Sequence, residues 1–135
     1  MIRQTIYLEW AHGWKVTCYY AVTHYEVDEI LRTLAEAGAD DKSLDRAYDN
    51  LSSVNLNTGL CYSGDGESVL VVSCATSPAQ FFNSLVHELH HLASHIASAL
   101  GCDQKGEEAC YIGGETAEQM YPVASKYLCE NCREH

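Results

Sequence analysis

Four of the seven histidines lie within nine positions of "LVHELHHLASH", residues 85–95, with a single glutamate among them. His87 and His91 are four residues apart, so on a helix they stand one turn above each other on one face. Two neutral imidazoles in that relation can converge on one tetrahedral ion at about 2.0–2.1 Å. Glu88 lies about 100° round the same helix, beside the ion's open position, where a carboxylate can serve as general base without being a ligand. The string is HExxH. Shuffling this composition gives on the order of 0.03 such matches per chain, so chance is a minor explanation. A plain alternative stays open, an amphipathic helix whose wet face is rich in histidine, and the separation of the faces suits either.

The elements that position these groups follow from periodicity. With His87 at zero, Leu85, Leu89, Leu92, Ile96 and Leu100 fall between about 140° and 220°, an apolar stripe opposite the histidines. Ser77 as N-cap, Pro78 in the first turn and Gln80 in the capping-box position predict a helix from about 78 to 100, stopped by Gly101. A second helix is expected from about 106 to 121, where Pro122 kinks or ends it. Upstream, "IRQTIYLE" (2–9) and "WKVTCYYAV" (14–22) are rich in β-branched and aromatic residues and read as paired strands. "VDEILRTLAEAG" (27–38) and "SLDRAYDNL" (43–51) have helical spacing, and "TGLCYS" and "SVLVVSC" flank the hairpin signal "GDGE". One α+β domain over residues 1–135 accounts for this order.

The formal net charge of -11 argues against nucleic acid or an anionic membrane as a partner, because both would repel the surface on average. No stretch approaches the roughly 18 apolar residues of a membrane span, and "MIRQTIYLEWAHGW" lacks the apolar core of a signal peptide. Seven cysteines, an odd number, read as reduced thiols rather than a disulfide framework, which places the expected compartment in the cytoplasm.

From the hairpin through both C-terminal helices, residues 59–121, the chain resembles the zincin metallopeptidases, especially the very small glutamate zincins of bacteria and their phages. The metzincin branch is excluded, since Ser94 and Ala97 stand where its longer motif needs Gly and His. The resemblance implies a zincin-like α+β fold, with an antiparallel or mixed sheet, an active-site HExxH helix and a second helix bearing a glutamate. It implies zinc as cofactor, His87 and His91 as ligands, and Glu88 as general base. It further implies hydrolysis of a peptide or protein substrate, with the strand "SVLVVSC" available to pair with an extended peptide. In that family the third ligand commonly heads a helix as ExxA, which points to Glu107 in "EEAC", with Glu108 as the alternative.

The connection from His91 to Glu107 is 15 residues, and a simple antiparallel hairpin would set Glu115 opposite His91 instead. An extended return from Gly101 keeps Glu107 in reach, helped if Cys110, Gly114 and Ala117 face Ser94, Ser98 and Gly101 as a close-packed small surface. His95 lies about 12 Å along the axis from His87, too far for both to share one ion with His91. Tyr111, Tyr121, His12 and His90 are candidate oxyanion partners, with packing or surface roles as the plainer reading. The tail "CENCREH" sets Cys129, Cys132 and His135 at zinc-knuckle spacing, one ligand short of four; unliganded thiols are the plainer reading, with a structural zinc and then a redox pair as alternatives. A zinc peptidase and a non-catalytic zincin-like regulatory or interaction protein are the two functions in play.

Overall fold

The computed structural model describes residues 1–23, 26–52, 59–73 and 77–129. Strands β1 (Ile2–Leu8) and β2 (Trp14–Val22) form an antiparallel pair joined through a 3-10 turn at Glu9–Ala11. Helices α1 (Val27–Glu36) and α2 (Asp41–Leu51) follow, then a hairpin of β3 (Leu60–Gly64) and β4 (Glu67–Ser73). Its two-residue turn, Asp65–Gly66, has positive φ at both positions (50° and 81°), the backbone that the "DG" pair favours. The sheet order is β1-β2-β4-β3, with β2 and β4 parallel and the outer pairs antiparallel. The α+β expectation holds: the described residues form a four-stranded mixed sheet and four α-helices.

β4 is paired on both sides, so the strand expected to receive a peptide has no free edge along its length next to β3. That expectation is corrected: β3 occupies the edge, because the tight turn folds "LCYSG" back onto "ESVLVVS". β4 is also buried on both faces. Leu70 and Val72 join Val16, Cys18 and Tyr20 in one core, while Val69 and Val71 join Tyr19 in another, which is why its sequence is continuously apolar rather than alternating.

α1 and α2 cover the second core through Ile30, Leu34 and Ala47. α3 (Pro78–Ala99) and α4 (Glu107–Ala124) cover the first. α3 begins as expected, with Ser77 Oγ accepting from Gln80 N at 3.2 Å. It ends at Gly101 (φ 75°), where Cys102 N donates to Ala97 O at 2.8 Å and closes the last turn. Phe81, Leu85, Leu92 and Ile96 are buried, each contributing about 1.5–3 kcal/mol relative to exposure, whereas Leu100 at the helix end is exposed. α4 runs past Pro122, because a proline in the last turn removes only one terminal hydrogen bond. Among the described residues no helix is long and apolar enough to cross a membrane.

Candidate metal and acid-base site

His87 and His91 stand one turn apart on α3, with ring centroids 4.9 Å apart and ring planes at 72°. Both are exposed. Glu88 is not. Its side chain is 8% exposed against 63% for His87, and its Oε1 lies 4.0 Å from His87 Nε2. The same 100° turn that separates it from His87 carries it off the wet face and under the start of β3. Burial pushes its carboxyl above the usual carboxylate range, and the neighbouring His87 opposes that shift.

The close approach of β3 depends on a glycine. A Cβ at Gly59 would stand 2.9 Å from Glu88 Oε1 and 3.0 Å from Val71 O, so a side chain there would displace the carboxylate or the strand. Asn50 Nδ2 donates to Gly59 O at 3.0 Å and ties this segment to α2. Further along β3, Cys61 and Ser63 face α3 and meet His95. Its Nδ1 is 3.2 Å from Ser63 Oγ and 3.8 Å from Cys61 Sγ. Ser63 Oγ is 2.6 Å from Ser68 Oγ, which accepts from Trp14 Nε1 at 2.9 Å. Burial holds the His95 imidazole below its ordinary value, with His91 acting in the same direction. Burial also pushes the Cys61 thiol up, and the Glu88 charge adds to it. A cavity of about 460 Å³ opens between this hairpin and the C-terminal half of α3, walled by Ser63, Ser94, His95, Ser98 and Trp14.

As donors, the two exposed imidazoles suit a zinc ion by type and by spacing, and the shielded carboxylate beside them suits a base. The third donor is not brought to them. Glu107 and Glu108 open α4 and are exposed. The helices meet at Ala93 and Gly113, where a glycine Cβ would lie 3.6 Å from Ala93 Cβ. In an antiparallel pair that contact levels His91 with Glu115 and leaves Glu107 about 12 Å further along the axis. Glu115 is engaged elsewhere, accepting from Glu9 N at 2.8 Å and Trp10 N at 2.9 Å. Among the described residues no group of three His, Cys, Asp or Glu is close enough to hold a metal ion.

The small surface between the helices also differs from expectation. Ala93, Ala97 and Ala109 are buried and Gly113 packs on Ala93, while Cys110, Gly114 and Ala117 are exposed. The contact row is therefore displaced from the expected one by one residue, about 100° of helix, which turns the face of α4 bearing Cys110, Gly114 and Ala117 away from α3. Tyr111 stacks on Trp10, so it belongs to the 3-10 turn rather than to the histidines. His12 closes that turn in a left-handed conformation, and His90 and Tyr121 are exposed. Cys129 is the last described residue; Cys132 and His135, and with them the tail reading, lie outside the described residues. The participants that sequence reasoning missed are Gly59, Cys61, Ser63 and Ser68, whose only local signal was a glycine and small polar residues leading into a strand.

Comparison with known proteins gives no further assignment: no family model, curated protein or solved structure matches the chain.

Proposed function

We propose that the chain is a zinc-dependent peptidase in which His87 and His91 hold the ion and Glu88 is the general base. The observation that carries this reading is the burial of Glu88 between two exposed histidines, at 8% side-chain exposure. A wet histidine face has no need of a shielded carboxylate, whereas base catalysis does, because a desolvated carboxylate is a stronger base than a hydrated one. A zinc ion bound there supplies a Lewis acid that polarises the scissile carbonyl and lowers the pKa of a bound water to about 7. Glu88 takes the proton of the attacking water and passes it to the leaving nitrogen. β3 pairs with β4 on one side and is the edge strand among the described residues, so its other edge could take an extended peptide. Glu107, or Glu108 in its place, would complete the ligand set in this reading. The alternative, a non-catalytic metal-binding regulatory or interaction protein, is favoured by one observation: among the described residues no third donor stands with the two histidines.

Two measurements test the reading together. Stoichiometric zinc is expected in the wild type and lost in His87→Ala and His91→Ala, with Cys129 and Cys132 replaced throughout as a control. Glu107→Gln is expected to weaken zinc affinity strongly, and Glu108→Gln and Glu115→Gln to leave it nearly unchanged. Glu88→Gln should keep its zinc while hydrolysis of an unstructured peptide library falls at least about a hundredfold, the lower end of what general base catalysis contributes. Undiminished zinc without the histidines overturns the site. A zinc-loaded wild type that cleaves nothing across the library overturns the enzyme in favour of the binding protein.

A further inference from the structure

Away from the histidines, on the flank of α4 that meets the 3-10 turn, two large aromatic rings are stacked and left in solvent. Trp10 and Tyr111 lie 4.6 Å apart between centroids at 11°, yet they remain 54% and 47% exposed. A stack formed only to close the core would be buried, since each ring gains most by leaving water. The backbone that presents Trp10 is firmly fixed. Glu115 accepts from the amides of Glu9 and Trp10, and Gln119 Nε2 donates both to Tyr7 O and to Glu115 Oε2 at 2.8 Å. Glu115 is thereby spent on structure. Glu9 and Glu118 are not: both are exposed, and neither carboxylate has an ion-pair or hydrogen-bond partner among the described residues. All of these residues line a groove of about 720 Å³ that has no Lys, Arg or His among the described residues lining it.

We propose that this groove binds an arginine-bearing segment of a protein partner. The guanidinium lies on the open face of Trp10 and pairs with Glu9 or Glu118. Arginine fits better than lysine because its plane stacks on an aromatic face, its fork matches a carboxylate, and it sheds water more easily. The net charge of -11 draws such a segment in from a distance. The fixed backbone means that little order has to be imposed on binding. This site does not depend on the peptidase reading, since it uses none of the α3 histidines.

The test uses the intact protein and blocked octapeptides of alternating glycine with arginine, lysine or glutamate. Calorimetry gives affinity, and tryptophan fluorescence gives location, because Trp10 is exposed while Trp14 is buried and hydrogen-bonded to Ser68. The arginine peptide is expected to bind, more tightly than the lysine peptide, and to change the Trp10 emission. Trp10→Ala should weaken it by about tenfold, within the range a cation–π contact supplies. The double variant Glu9→Gln with Glu118→Gln, both at exposed positions and so harmless to folding, should weaken it several-fold and flatten its salt dependence. Circular dichroism confirms that each variant is folded. Four results overturn the proposal: no binding at millimolar peptide, equal affinity for the glutamate peptide, affinity unchanged in the Glu9/Glu118 variant, or a neutral oligosaccharide binding the groove in place of arginine.

Discussion

Gly59 shapes the candidate site as much as the glutamate it faces. Its missing Cβ leaves room for Glu88 Oε1, and the nearby Val71 carbonyl belongs to a central strand that cannot swing aside. Gly59→Ala should therefore cost about 1–3 kcal/mol in urea denaturation, the usual range for overpacking, and should reduce hydrolysis more than zinc content. A variant as stable and active as wild type would mean that β3 does not set the position of Glu88. The one-turn stacking of His87 and His91, with Glu88 beside them, was legible in the sequence, because it depends on spacing along one helix. The role of Gly59 was not, since the atom it makes room for is 29 positions away and reaches it only through the fold. The same holds for the Trp14, Ser68, Ser63 and His95 chain, whose members come from three strands and a helix.

Among the elements, the starts and stops with local chemistry were readable, and the exceptions have local reasons too. The N-cap of α3 was found because Ser77 is followed by Pro78 and an apolar period. The start of α2 was placed at Ser43, two residues late, because the first turn "DK" has no apolar residue to extend the pattern. Asp40 is its cap, accepting from Ser43 N at 2.8 Å. That backbone hydrogen bond, with the Ser43 side chain assisting, holds the Asp40 carboxyl below its ordinary value. A carboxyl whose folded value is depressed stabilises the protein above its unfolded pKa, about 3.9, and loses that contribution as pH falls through the folded value. Asp40→Ala should accordingly melt below wild type at neutral pH, with the gap narrowing as pH drops beneath about 4. Thermal scans from pH 7 downward check this, and a gap that stays constant would show that the charge of the cap is irrelevant.

Over the whole molecule, one sheet carries two cores, and β2 and β4 send alternate side chains into each. Damage on one face should therefore be felt on the other. Ile30, on the inner face of α1, is fully buried against the sheet, across it from Trp14. Ile30→Ala should lower stability by about 2–5 kcal/mol, and Trp14 fluorescence should report the shift as a single transition coincident with the loss of helix. Two separate transitions would show that the faces unfold independently. The sequence by itself determined the α+β class, most of the elements, the inner part of the apolar stripe of α3 and the one-turn spacing of His87 and His91, because each is a matter of periodicity within a segment. Only the tertiary structure decided which strand lies at the edge, that Glu88 is shielded while its neighbours are wet, and which row of α4 meets α3. Strand order and helix rotation are set by how distant apolar faces pack together, and a rotation of one residue on α4 costs nothing locally while it swings a carboxylate about 100° round the helix.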